Sequence, residues 1–172
     1  MTISRPAPSE HLPYYSEYTN RVHGDWFEFQ DQTHAEFKAV LSPLSEAQAE
    51  ARPGPNEWNI KEVIGHIVDG ERVFAYRALR IARKDTTPLA SFDQDLYVPA
   101  GEFTSRPLAD LLQEFTTVRA ATLSLFSTFS EDALLRIGTA SNAPVSVRAL
   151  AYIIAGHEHH HLASLKTVYL GR

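Results

Sequence analysis

The 172-residue chain contains no cysteine. That excludes disulfides, thiolate metal sites, cysteine-ligated iron–sulfur clusters and cysteine nucleophiles. Positive charge is not in excess either. Sixteen Lys and Arg face 21 Asp and Glu, a formal net charge of −5. A basic nucleic-acid footprint is therefore absent, and no nucleic-acid partner is expected. No apolar run approaches the roughly 18–20 residues that a membrane-spanning helix needs. Met1 to Glu10 carries no apolar segment of the signal-peptide kind. The expectation is a cytoplasmic protein with no membrane partner. Strand signals and internal repeats are nearly absent too. The surplus is in histidine: eight residues, four of them His157, His159, His160 and His161. Distinctive chemistry should run through imidazole.

The length suits one domain with a real core, here residues 1–172. Residues 1–24 read as an irregular N-terminal arm. Pro6, Pro8, Pro13 and Gly24 punctuate it, and Tyr14, Tyr15 and Tyr18 let it pack on the rest. Asp25 is an N-cap type residue opening a first helix that Pro43 ends. A turn is expected around 45–50. Asn59 with Glu62 forms a capping box for a second helix, reaching about Arg83. Ile60, Val63, Ile64, Ile67, Phe74, Ala78 and Ile81 give it an apolar stripe. Residues 84–104 read as a long loop. A third helix is expected from Ser105, with Pro107 in its first turn, and a fourth from its cap at Ser146. Residues 138–144 read as loop.

Four amphipathic helices predict an all-α four-helix bundle. The crossover between helices two and three is far longer than a usual bundle turn and can run the full bundle length. Those two helices can therefore lie parallel.

His157 and His161 are four residues apart, about 40° apart around a helix and one turn apart along it. They share a face with Ile154 and Leu165, so they should point inward. Two imidazoles so placed can hold one divalent ion. His66, near the buried side of helix two, is the candidate third ligand. Three His with an open position is the pattern of a catalytic zinc site. A lone inward His is ordinarily a hydrogen-bonded core residue, and His11, His23 and His34 are read that way. His160 could also chelate with His157 at a three-residue spacing, whereas His159 falls on another side of the helix.

The segment from His157 to His161 also matches H-E-x-x-H, which gives metalloproteases two zinc ligands and a Glu base. The context is wrong for a protease. Eleven residues follow His161, none of them Asp, Glu or His, and no supporting sheet is expected. Glu158 remains a candidate catalytic base, with a solvent-facing carboxylate as the plain alternative. A di-iron site needs two Glu-x-x-His motifs. Only one is present.

Trp58-Asn59, followed by Glu62-Val63-Ile64-Gly65-His66, resembles the helix-two signature of the DinB/YfiT-like family of metal-dependent enzymes. The run from Asp69 to Arg77 resembles its continuation in one subgroup. Phe92-Asp93-Gln94 and Val118-Arg119-Ala120 are similar to later positions, and the run from Gly156 to Leu162 resembles the helix-four signature. The resemblance spans nearly the whole chain. It implies a bundle holding a metal, zinc or nickel, on His66, His157 and His161. It also implies homodimerisation and, as one possibility, use of a low-molecular-weight thiol cosubstrate. Ser164 departs from a Gln common in the family.

The expected function is a metal-dependent enzyme acting on a small molecule, either a thiol-dependent transferase or isomerase or a hydrolase. Any thiol must be brought by a cosubstrate. The alternatives are a non-catalytic metal-binding or stress-response module and a metal-free bundle with a histidine core. Arg77 and Arg119 are candidate substrate-binding residues, since guanidinium groups bind carboxylates bidentately. Arg119 lies near an apolar stripe, so it needs a partner, with Asp69, Glu71 and Asp93 the candidates.

Overall fold

The computed structural model describes residues 2–171. Four long helices form a bundle: α2 (Trp26–Leu41), α4 (Ile60–Ala82), α6 (Leu108–Ser127) and α8 (Val147–Ser164). Their starts follow local chemistry. Asp25 accepts from the Phe27 and Glu28 amides, Asn59 and Glu62 close a capping box, and Ser146 accepts from the Ala149 amide. A short turn of π-helix, Leu165–Tyr169, continues α8.

Contacts fix the directions. Asn59, at the start of α4, donates to Thr104 just before α6, Glu71 meets Arg119 midway, and Ala82, at the end of α4, accepts from Arg136 just beyond α6, so residue numbers rise together along α4 and α6. The two helices run parallel. Trp26 Nε1 donates to Ala151 O and Lys166 pairs with Glu36, so α2 and α8 also run parallel. The two pairs are mutually antiparallel. The connection from 83 to 107 therefore travels the length of the bundle, as its size suggested.

That connection is not all loop. It carries α5 (Gln94–Ala100), capped by Asp93, whose side chain accepts from the Asp95 and Leu96 amides. Asp at an N-cap was the missed signal. The third long helix begins three residues later than expected, because Pro107 is its N-cap and Phe103–Ser105 form a separate 3₁₀ turn. Ser45 and Gln48 form a capping box, so the expected turn is a short helix, α3 (Glu46–Glu50). Helix α7 (Glu131–Leu134) precedes a hairpin where the sequence predicts loop. Strand β1 (Ile137–Ala140) pairs antiparallel with β2 (Ala143–Ser146). Ser141 and Asn142, both at positive φ, make its two-residue turn. Neither is glycine, which hid it.

The N-terminal arm lies on the bundle. Ile3 is buried and accepts from the Tyr152 hydroxyl, and Glu10 pairs with Arg148. Helix α1 (Ser16–Thr19) lies across α8 at Gly156. A Cβ at Gly156 would stand 1.9 Å from the Tyr18 carbonyl oxygen. This glycine costs helix stability but lets two backbones touch. Gly156→Ala, normally favourable in a helix by about 0.5–1 kcal/mol, should instead destabilise by roughly 1–3 kcal/mol. Arm release should also speed tryptic cleavage after Arg21. A variant more stable than wild type, with unchanged cleavage, would contradict this contact.

The apolar core has two parts. One, around Trp26, Phe74, Phe126 and Leu150, fills one end of the bundle. The other, around Phe37, Ile64, Leu111 and Phe115, fills the opposite end. The polar groups described next lie between them.

Candidate metal centre

His66 projects from α4, and His157 and His161 from successive turns of α8. Their Nε2 atoms converge. His66 Nε2 lies 3.0 Å from His157 Nε2, which lies 3.1 Å from His161 Nε2. All three possible donor atoms fall within 4.8 Å of one another. A zinc ion about 2.0–2.1 Å from each imidazole nitrogen would separate those nitrogens by roughly 2.9–3.4 Å. Two of the three separations match that spacing, and the third, within 4.8 Å, closes up with small side-chain adjustments around one small divalent cation. The rings stand 75–89° to one another, so their edges rather than their faces meet.

Burial makes these groups ligand-like. Desolvation pushes the His66 pKa down to about 4. Burial, with His66 and His160 nearby, pushes His161 down to about 3. His157 is lowered well below its ordinary value by burial, then by His161 and His66. At neutral pH all three are uncharged imidazoles, the form that binds metal. His160 points elsewhere, with Nδ1 3.0 Å from Glu17.

The cluster opens to space on two sides. A cleft of about 540 Å³ is lined by His66, His157, Phe74 and three arm tyrosines, Tyr14, Tyr15 and Tyr18. A chamber of about 150 Å³ lies on the His161 side, with Trp58, Ser164 and Tyr169. The Tyr18 ring packs edge-on against His157 at 5.3 Å, and its hydroxyl is 3.1 Å from that of Tyr14. Burial raises the Tyr18 pKa, so this phenol keeps its proton. The sequence alone predicts only a packing role for the three tyrosines. Gly156, which seats Tyr18 on α8, was the available signal.

The other candidate residues do not join the histidines. Glu158 is fully buried and faces the bundle interior, neither toward solvent nor into the cleft. It accepts from Arg119 at 2.5 Å. The base role expected from H-E-x-x-H has no support in this placement. Arg119 is buried between all four long helices. It binds Glu71 through Nε at 2.9 Å and Nη2 at 2.7 Å, and Gln30 and Glu158 through Nη1. Of its three expected partners Glu71 is the one present, and the guanidinium is committed to protein rather than to the cleft. His34 belongs to this cluster, 3.7 Å from Glu158 and stacked edge-on against Phe115. Arg77 lies behind the cleft wall, donating to Ala90 O and Ser141 Oγ.

Residues 30–165 match the family model of the DinB superfamily. The chain belongs to this superfamily. Over 129 residues it is 27% identical to a protein of Oceanobacillus iheyensis named "Putative metal-dependent hydrolase", covering 74% of this chain and 73% of that protein. The DinB-superfamily fold seen here superposes on YfiT from Bacillus subtilis, described as "a probable metal-dependent hydrolase with an unusual four-helix bundle topology". The TM-score is 0.77 at 13% identity, over 96% of this chain and 91% of YfiT. It also superposes on a mycothiol-dependent maleylpyruvate isomerase, with TM-score 0.68 at 12% identity, over 81% of this chain and 59% of that one. At such identities the superpositions establish shared fold. Among the described residues, no helix is long and apolar enough to cross a membrane.

Proposed function

We propose that this DinB-superfamily protein is a metal-dependent hydrolase of small molecules, with zinc or nickel on His66, His157 and His161. One observation carries the reading: three uncharged imidazoles, two of them buried, turn their Nε2 atoms toward one another, and His66 and His157 stand in the wall of a 540 Å³ cleft. A divalent ion on three imidazoles supplies Lewis acidity to a group bound beside it.

The chain's own residues supply the rest. Phe74 and the arm tyrosines exclude water and take the apolar body of a substrate. The Tyr18 Oη–H, with Tyr14 beside it, donates to a substrate oxygen and orients it. Glu158 and Arg119 act at one remove by holding α8 against α4 and α6. They are positioning residues.

Thiol-dependent transfer is the second reading. The chamber on the His161 side favours it, since a second molecule could approach there. A chain without cysteine needs its thiol delivered.

The test uses full-length protein purified without a histidine tag. Elemental analysis after reconstitution should find about one ion per chain. A panel of esters and amides, with and without small thiols, should show turnover that a chelator abolishes and metal restores. Metal far below stoichiometry would remove the enzyme reading altogether. Turnover confined to reactions containing a thiol would replace hydrolysis by transfer.

A further inference from the structure

Three cationic side chains are buried among the described residues: Lys61, Arg77 and Arg119. Lys61 has two carboxylates, Glu46 at 2.7 Å and Glu50 at 2.6 Å. Arg119 also has two. Arg77 is 3% exposed and makes no ion pair among the described residues. Its Nη2 donates to Ala90 O at 2.6 Å and Ser141 Oγ at 3.0 Å. Its guanidinium stands 5.8 Å from the Phe74 ring centre and 5.7 Å from that of Phe92. Every one of these partners is neutral. A buried cation without a counter-charge is costly, yet guanidinium cannot shed its proton to escape the cost. Lys61 and Arg119 show how this chain settles that cost elsewhere.

Arg77 is buried against a second cleft of about 350 Å³, between α4 and residues 87–92. Tyr76, Arg80, Phe92 and Tyr97 share its walls. Arg80 is already taken by Asp85 and the Tyr76 hydroxyl. The unclaimed charge is that of Arg77. Ser91 and Phe92 line both this cleft and the one at the three histidines, so the two clefts adjoin. The histidine cleft itself is lined by Asp93 but by no Lys or Arg. A positive end for an anionic ligand exists next door to the metal centre, not within it.

We propose that the Arg77 cleft is a carboxylate-binding subsite, reading the anionic end of a small molecule whose reacting group sits at the three histidines. That last link rests on the function proposed above; the anion site does not. One unclaimed guanidinium matches one negative charge, and its planar fork matches a planar carboxylate. The rings of Tyr76, Phe92 and Tyr97 suit an apolar body behind it. A phosphate dianion would leave charge uncompensated here.

The test titrates full-length protein with benzoate, benzamide and inorganic phosphate, once treated with chelator and once loaded with zinc. Binding is followed by backbone amide NMR shifts. Benzoate should bind saturably in both metal states, at least tenfold more tightly than benzamide. The shifts should centre on residues 73–80 and 87–92. Arg77→Gln keeps a donor for Ala90 and Ser141 but removes the charge, and should abolish the preference. If that variant does not fold, Arg77→Lys keeps the charge without the fork and should weaken benzoate binding several-fold while leaving benzamide unchanged. Equal affinity for benzoate and benzamide, or phosphate binding more tightly than benzoate, would overturn the subsite. So would wild-type benzoate binding in the folded variant. Benzoate binding that needs zinc and ignores Arg77 places the carboxylate on the metal, ending this proposal but not the metal reading. Arg77-dependent binding by protein that takes up no metal leaves the subsite standing and removes the proposed function.

Discussion

Arg119→Ala should cost about 3–5 kcal/mol of folding stability, the usual result of leaving buried charges without their partner. At this chain length that lowers the melting temperature by roughly 6–20 °C. Arg119 is 2% exposed, and Glu71 and Glu158 are as deeply buried. Their two carboxylates would then face each other without a cation, and Gln30 would lose an acceptor role. One carboxyl must take up a proton, or water must enter between the helices. The neighbouring carboxylates hold Arg119 firmly in its charged form against the desolvation that opposes it. An apolar replacement of the whole group, Arg119→Met with Glu71→Leu and Glu158→Leu, should recover much of the loss, since buried ion clusters often exchange for well-packed apolar side chains at little net cost. Thermal and urea melts of the single and triple variants decide the matter. A single variant within 1 kcal/mol of wild type would show that the cluster does not hold the helices. Glu158→Gln alone should keep its metal, because the carboxylate faces Arg119 and not the histidines.

The bundle was legible in the sequence because caps and apolar spacing are local. Asp25, Asn59 and Ser146 mark three helix starts by chemistry within three residues. The length of the 84–104 segment also carried topological information, since only a long connection lets α4 and α6 lie parallel. Short elements escaped because weak local signals decided them. The hairpin turn at Ser141-Asn142 lacks the glycine that usually marks positive φ. Helix α5 is seven residues long and contains Pro99.

The histidine spacing on α8 was equally local. The roles of Glu158, Arg119 and Arg77 were not, because they depend on which way a helix is rotated in the bundle. Glu158 neighbours a candidate metal ligand in sequence, yet its side chain leaves α8 toward the core. Tyr18 of the arm reaches the cleft by seating on Gly156, a long-range fact that no window of sequence contains.

His157→Ala should give the largest change in metal binding. Its Nε2 lies within 3.1 Å of both other donors, so removing it leaves His66 and His161 without the ligand between them. Zinc bound by three or four protein ligands is worth about 10–16 kcal/mol in small structural sites, so one ligand carries roughly 3–4 kcal/mol. Affinity should fall by about 10²–10³-fold. The same loss should appear in stability. A ligand at 1,000 times its dissociation constant stabilises by about 4.1 kcal/mol, so most of the zinc-induced rise in melting temperature should vanish. In chelator the two proteins should differ less, by what His157 contributes through packing on Tyr18 and Phe74. His160→Ala is the matched control. That ring also sits on α8 near Tyr18, but its Nδ1 lies beside Glu17 and the residue lies outside the converging trio. It should keep wild-type metal content. Melts with and without zinc, alongside elemental analysis, separate the outcomes. An undiminished zinc shift in His157→Ala, or metal loss in His160→Ala, would move the centre off His66, His157 and His161. Retained metal in the control with loss in the variant ties the ion to the point where the three Nε2 atoms meet.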